Sequence, residues 1–378
     1  MRRHLASWVA ISALAAFALG GCSSAPPAAS TDARVTVIPD TTALTLTPDS
    51  VAFIRTGNEA LAARAPGDLV VSAQGEGFLR RVLAVHHDAD TDQVILDTEP
   101  AALGDAVIDG DVSDSLALRD GTSGASPDGK WDTHTLQLIN VDLRAQRPID
   151  NANLTVDIHR AALSLRPTLD LDLAMRGRRL EHFEAVLSSQ LDADLDLEVR
   201  ARAGTIKPAI KLWKSPPMIF YQQVGVVPVV ETAVISVGVR LEITARGDSR
   251  VRLKGSLRSA LAAGLRYEGG QWQRVADAYN SLTGSIPAAD LDVDQIDVRA
   301  YLFTQLDVKF YDVAGPFISV GPYVQVDHPL DSPAFAAKVG LYGEVGGELK
   351  VFGIRVPALP RFQLFDVSRP LFSTEGAR

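Results

Sequence analysis

The chain has one cysteine, Cys22, among its 378 residues, and only 6% of its residues are aromatic. A single cysteine cannot form an internal disulfide, so the folded part has to be stabilised by a hydrophobic core, for which the chain is long enough. The sequence also lacks CxxC pairs, HExxH, phosphate-binding loops and nucleophile elbows. These motifs are common signals of metal-dependent, nucleotide-dependent and hydrolytic enzymes, so we predict a protein that is not an enzyme and uses no cofactor.

Basic residues are fewer than acidic ones, 37 against 46, and the formal net charge is -9. An acidic surface repels nucleic acid and anionic lipid headgroups. The predicted partners are therefore neutral or cationic, and nucleic acid is not among them. Apolar residues make up 46% of the chain and charged residues 22%, which is typical of a globular rather than a disordered protein.

The start of the chain carries two arginines, Arg2 and Arg3, followed by an apolar run over residues 5–19. The run is shorter than the roughly 20 residues that span a bilayer core, and no basic flank follows it. Small residues then lead to Cys22. A basic start, a short apolar run and a small-residue cleavage site are typical of a secretory signal peptide, here residues 1–21.

The four residues Leu19-Gly20-Gly21-Cys22 resemble the lipobox of bacterial lipoproteins. The resemblance implies cleavage between Gly21 and Cys22 and acylation of Cys22, for example with palmitate, and Ser23 implies sorting to the outer membrane. Each buried acyl CH₂ adds roughly 0.8 kcal/mol of membrane affinity, so several acyl chains hold a protein firmly. We therefore expect a protein held at the cell envelope by its N-terminal lipid, on either the periplasmic or the surface side.

Two segments dense in turn-forming residues predict linkers, at residues 23–32 and 120–129. The predicted organisation is a signal peptide (1–21), a lipidated flexible tether (22–33), a small β domain (34–119), a linker (120–130), a large antiparallel β domain (131–372) and a tail (373–378).

In the small domain, residues 68–72, 78–86 and 94–98 have the composition of short strands separated by turns. Residues 75–82 and 97–103 together resemble a small β module found in uncharacterised secreted bacterial proteins. The resemblance implies a β-rich fold and carries no functional residue with it.

The large domain is dominated by alternation of apolar and polar residues. Over residues 183–201 every second residue is apolar or small, and the intervening residues are mostly charged or polar. Period two over this length predicts a single strand of about 60 Å with one dry and one wet face. Similar runs cover residues 154–175, 235–245, 251–267, 296–310 and 339–351, with a bulge expected near Ala161 and residues 251–267 expected as the hairpin partner of 235–245.

The predicted fold class is therefore all-β, with a large antiparallel domain of long strands that forms a sandwich, a roll or a curved sheet after a small β domain. Residues 273–282 are the best helix candidate, because Val275, Tyr279 and Leu282 share one helical face and Gly284 follows.

Acidic residues suggest one candidate metal site. Asp88, Asp90 and Asp92 have the spacing of a calcium-binding loop, but the flanking segments are predicted strands and Gln93 replaces the required glycine. An ordinary polar hairpin turn is the alternative. Three further aspartate rows, at residues 170/172, 192/194/196 and 290/292/294, have the spacing of a strand's solvated face.

Arg246, Gly247 and Asp248 form the tripeptide that integrin ligands display on loops, here between two long predicted strands. This predicts a candidate adhesive loop, although Gly-Asp is also a common hairpin turn.

Two functions remain open from the sequence. The first is a membrane-anchored, non-catalytic β ectodomain that binds or scaffolds an unknown protein, glycan or lipid ligand at the cell envelope. The alternative is a carrier of lipid or another apolar ligand inside the long-strand domain, as in BPI-like lipid-shuttling lipoproteins, although those families usually add long helices. Insertion of the strands into a membrane is disfavoured by the charge on their polar faces.

Overall fold

The computed structural model describes residues 29–117, 139–279, 296–311, 315–327, 336–347 and 359–373. The predicted signal peptide, Gly21, Cys22, the linker at 120–130 and the aspartate row at 290–294 lie outside these residues. The described chain consists almost entirely of strands with mainly antiparallel pairing, so the predicted all-β class is confirmed.

The strands and two short helices fall into three consecutive stretches of the chain. Residues 29–117 contain β1 (Ser30–Thr31), β2 (Val35–Val37), β3 (Thr45–Leu46), β4 (Ser50–Ile54), α1 (Glu59–Ala62), β5 (Leu69–Ser72), β6 (Phe78–Asp88), β7 (Gln93–Pro100), α2 (Leu103–Ala106) and β8 (Val107–Ala117). Residues 139–279 contain β9 (Ile139–Asp150), β10 (Leu154–Arg176), β11 (Arg179–Ala201), β12 (Gly204–Ile206), β13 (Ala209–Lys214), β14 (Met218–Val224), β15 (Val227–Ala245), β16 (Ser249–Glu268) and β17 (Gln271–Tyr279). The remaining described residues form β18 (Ile296–Phe310), β19 (Pro316–Asp327), β20 (Ala336–Gly347) and β21 (Leu359–Ser373).

Two large sheets are built from the long strands. The seven-stranded sheet has the order β1-β8-β10-β11-β16-β17, with β9 also beside β10, and the eight-stranded sheet has the order β12-β15-β18-β19-β20-β21, with β13 and β14 also beside β15. Strands β10 and β11 each contain 23 residues, which at about 3.3 Å per residue gives a length of about 70 Å. The long alternating strand predicted at residues 183–201 is thus confirmed as most of β11.

The two large sheets stack face to face. On β11, the residues of one parity are buried against the other sheet, and those of the opposite parity are mostly solvent-accessible. Phe183 of β11 lies edge-on to Phe310 of β18, with 6.4 Å between ring centroids, and therefore joins the two sheets. At Gly255 of β16, a Cβ would lie 3.0 Å from the Val324 side chain of β19. Among the three predicted architectures, this arrangement is a sandwich.

The third sheet has six strands in the order β2-β5-β6-β7-β4-β3 and covers one end of the sandwich. One of its faces has a core of its own around Phe53 and Leu96. The other face contributes Leu69 and Leu79 to the core of the sandwich. Strands β1 and β8, which the predicted boundaries place in the tether and the small domain, hydrogen-bond instead within the seven-stranded sheet.

The first described residues are fixed to this same end. Ser30 pairs with Asp109 of β8. Asp32 receives a hydrogen bond of 2.5 Å from Arg178, which lies in the turn between β10 and β11, and two more from Arg34 side-chain nitrogens. The N-terminal segment therefore meets the sandwich where β10 ends and β11 begins.

Two sequence predictions need correction. Residues 273–279 are strand, within β17, rather than helix, because nine consecutive residues pair with β16. Strands β15 and β16 are not a hairpin within one sheet; residues 246–248 carry the chain from the eight-stranded to the seven-stranded sheet. The bulge expected near Ala161 is confirmed, because the pairing of β10 with β11 shifts register between Ile158 and Arg160.

Candidate functional site

A cleft lies at the end of the sandwich opposite the N-terminal segment. It is formed where the turn between β9 and β10, the end of β11 and the start of β16 come together, and it has a volume of about 570 Å³. The backbone N–H of Arg202 donates to the carbonyl of Asn153 at 3.0 Å, which joins two of these segments. We call this site the tip cleft; it is lined by Asn151, Ala152, Asn153, Leu154, Thr155, Arg200, Ala201, Arg202, Asp248, Ser249 and Arg250.

Two guanidinium groups of the tip cleft are held by one buried carboxylate. Arg200 and Arg250 each contact Glu198 at 2.7 Å, on its two different oxygens, and the Glu198 side chain is only 5% exposed. The hydrogen bond from Arg250 is the main cause that lowers the pKa of Glu198 below its ordinary value. Both arginine side chains remain more than half exposed, so Glu198 orients them without removing them from solvent.

A third guanidinium group, that of Arg202, is held more loosely. Its Nε lies 3.7 Å from Asp248, and the two side chains are 63% and 85% exposed. An ion pair of this exposure contributes little to stability. Asp248 therefore occupies a position beside Arg202 from which it is easily displaced.

The candidate adhesive loop belongs to this site. Arg246, Gly247 and Asp248 are the connection between β15 and β16, and Asp248 is the residue that lines the cleft. Arg246 is partly buried, and its Nη1 is buried without a hydrogen-bond partner. An adhesive role for the tripeptide stays a prediction, in a loop whose aspartate is turned toward Arg202.

Sequence reasoning missed most of the tip cleft. Arg200 lies near the end of β11 and Arg250 lies near the start of β16, and some 50 residues of sequence separate them. Each is also one of many charged residues on an alternating strand. The one available sign was the turn at residues 246–248. Only the pairing of β11 with β16, which sets Arg200 opposite Arg250, brings these side chains together.

The tip cleft can hold an oxyanion. Guanidinium groups present planar pairs of donors that match a carboxylate or a phosphate. The cleft volume is within the usual range of ligand sites. The guanidinium groups of the cleft therefore supply donors for binding an anionic group.

The candidate metal residues do not converge. Asp88 accepts hydrogen bonds from the backbone of Asp90 and the hydroxyl of Thr91 at 3.0 and 2.7 Å. Asp92 instead bonds to Arg55, at 3.0 Å. The hydrogen bond from Thr91 is the main cause that lowers the pKa of Asp88. Within the described ranges, no group of three or more His, Cys, Asp or Glu side chains could hold a metal ion.

The aspartate row on β11 lies on the outer face of the seven-stranded sheet, as its spacing predicts. Asp192 pairs with Arg258 at 3.0 Å, and Asp196 pairs with Arg252 at 2.9 Å. Asp194 faces Ser256 of β16 and contacts Arg160 of β10 at 3.8 Å, so all three aspartates have a basic partner on an adjacent strand. This cross-strand pairing gives the row a structural role on a solvated face.

The interior of the sandwich is the site that the carrier alternative requires. Inner residues such as Leu171 and Leu241 are 1% and 0% exposed. A cavity between the sheets, lined in part by Leu195, Leu302 and Val339, has a volume of about 20 Å³. That cavity holds about one water molecule, so it is too small for an acyl chain.

The outer face of the eight-stranded sheet carries an aromatic and arginine network. Arg299 lies between the rings of Tyr301 and Tyr323, at 4.8 and 3.8 Å from their centroids, and contacts Asp366 at 2.7 Å. The Tyr323 ring packs over Gly340 of the paired strand, where any Cβ would clash. Burial is the main cause that raises the pKa of Tyr323. Asp366 thus pairs with Arg299 through one Nη atom, while the Nε of Arg299 is buried without a hydrogen-bond partner.

The chain matches no family model, and neither a curated protein nor a solved structure shows significant similarity to it. In the part of the chain that the structure describes, no helix has the length and apolar character needed to cross a membrane.

Proposed function

We propose that this protein is a lipid-anchored, non-catalytic lipoprotein of the cell envelope whose β ectodomain binds a partner through the tip cleft. One observation carries the proposal. The first described residues are fixed at one end of β10 and β11, and the tip cleft lies at the other end of the same two strands, about 70 Å away.

The anchor follows from the lipobox of the sequence. Seven residues separate Cys22 from Ser30, and a fully extended chain of that length spans at most about 28 Å. A lipid on Cys22 would therefore hold the end of the sandwich that contains the turn between β10 and β11 close to a membrane. The tip cleft, at the opposite end, would point away from that membrane. This division of the molecule suits a protein that reaches from a membrane to a partner in the envelope.

The carrier alternative receives less support. A carrier needs an apolar space for its ligand, and the described inner faces are closely packed. Mass spectrometry of the organic extract of purified protein would favour this alternative if it found one bound lipid per chain beyond the lipid on Cys22.

Replacement of Cys22 by serine tests the anchor. In cells labelled with a palmitate analogue, we expect the wild-type chain to carry the label and to sediment with membranes. The Cys22→Ser variant is expected to lose the label and to appear in the soluble fraction, because the only cysteine has been removed. An unlabelled wild-type chain, or a variant that still sediments with membranes after a high-salt wash, would contradict the proposal.

A further inference from the structure

The charge at the tip cleft differs from that of the whole chain. The chain carries a net charge of -9, yet three arginines line the cleft together with one aspartate. The buried Glu198 behind them offsets one further positive charge. At an arginine-rich site on an acidic protein, the local electrostatic potential attracts anionic groups, whereas the rest of the surface repels them.

Two of the three guanidinium groups, those of Arg200 and Arg250, are oriented before any ligand binds. Glu198 is buried and uses one oxygen for Arg200 and the other for Arg250. These two arginines are also directly paired across β11 and β16. Preorganised donors lose less conformational entropy when they bind an anion than free side chains do.

Asp248 indicates which anion fits. Its carboxylate lies in the cleft, 3.7 Å from Arg202, and belongs to a side chain that is 85% exposed. The cleft thus already accommodates a carboxylate from its own chain at the one arginine that Glu198 does not hold. An external carboxylate that brings its own donors and shape complementarity can replace so weak and so exposed an interaction.

We propose that the tip cleft binds a carboxylate-bearing ligand across Arg202 and Arg250, and that Asp248 occupies part of this site in the free protein. This inference rests on the proposed function and names its ligand class. Asn153 and Thr155 add amide and hydroxyl groups to the cleft lining, and the volume of about 570 Å³ accepts a ligand larger than a single carboxylate. The source is either a small free acid or an acidic glycan.

The experiment measures binding to the full chain, with its lipid, in detergent micelles at low ionic strength. The probes are citrate as a small free acid, a galacturonic acid trimer as an acidic glycan, inorganic phosphate, and a neutral glucose trimer. We expect binding of at least one carboxylate probe, weaker binding of phosphate, and none of the neutral trimer. Affinity should fall as salt is added, because the contacts are exposed charges.

Three variants assign the binding to the cleft. Arg202→Gln should weaken carboxylate binding at least tenfold. Asp248→Asn should strengthen it about threefold to fivefold, because the internal competitor has lost its charge. Arg258→Ala is the matched control, because Arg258 is an exposed, ion-paired arginine on β16 outside the cleft and its loss should leave the affinity unchanged.

The outcomes are distinct. Tighter binding of the galacturonic acid trimer supports a glycan source, and tighter binding of citrate supports a free acid; both support the carboxylate site. No carboxylate binding, stronger binding of phosphate, or binding that Arg202→Gln and Asp248→Asn leave unchanged overturns it. Palmitate labelling and release by Cys22→Ser do not depend on the ligand, so the anchor remains testable if the carboxylate site fails.

Discussion

Replacement of Phe183 by alanine is expected to lower the free energy of unfolding by about 3–5 kcal/mol, the usual cost of removing a buried aromatic side chain. Phe183 is 0% exposed and lies between the two large sheets. It contacts Trp272 of its own sheet and Phe310 of the opposite sheet, both edge-on, at 6.0 and 6.4 Å between ring centroids. The change leaves a cavity that the paired backbones on both sides cannot close.

Urea denaturation, followed by tryptophan fluorescence, measures this effect, and Trp272 is a probe at the site itself. Gln190→Ala is the control, because Gln190 is an exposed residue of the same strand; its effect is expected to stay within about 0.5 kcal/mol. If Phe183→Ala cost no more than the control, the two sheets would not be stacked at this position.

Replacement of Asp32 by asparagine is expected to cost about 2 kcal/mol at pH 7, because hydrogen bonds to a buried charged group contribute roughly 1.5–3 kcal/mol. Asp32 is 7% exposed and joins the N-terminal segment to the β10–β11 turn. Hydrogen bonds from the Arg34 side chain and backbone are the main causes that hold the pKa of Asp32 well below its ordinary value, and Arg178 adds to them.

The effect of this substitution should depend on pH. Because the pKa of Asp32 is lower in the folded than in the unfolded chain, its stabilisation is fully present above the unfolded pKa of about 4 and is lost as the pH falls toward the folded pKa. The difference between wild type and Asp32→Asn should therefore shrink as urea denaturation is repeated below about pH 4. Gln190→Ala, which removes no ionisable group and lies on an exposed position of β11, is the control that should show no such trend. A difference that is constant or grows in acid would contradict the assigned role of Asp32.

Much of the fold could be predicted because the alternation on β10 and β11 is long and regular. Leu187 and Leu195 must face a core while Asp192 and Asp196 face solvent, whatever the partner strands are. The strand class of these residues therefore follows from their own sequence. A packed interior follows as well, since two dry faces have to cover each other.

Other features depended on partners that the local sequence does not specify. The alternation of β16 is equally compatible with a hairpin to β15 and with transfer to the other sheet, which is what residues 246–248 achieve. Val275 and Tyr279 are four residues apart, a spacing that fits one face of a helix and one face of a strand, and pairing with β16 decides in favour of the strand. The tip cleft combines three segments that are distant in the sequence and that only strand pairing brings together, so its residues could not be grouped from the sequence.

Position-specific photo-crosslinking in intact cells tests most directly whether the anchor and the binding tip lie at opposite ends. A photoreactive amino acid would replace Ala152, which is exposed in the tip cleft, or Val226, which is 61% exposed at the N-terminal end of the sandwich. We predict that position 152 crosslinks to a non-lipid component of the envelope and that Arg202→Gln reduces this crosslinking. Position 226 should crosslink to lipid or give no crosslink. Partner crosslinks from position 226 and none from position 152 would contradict the account.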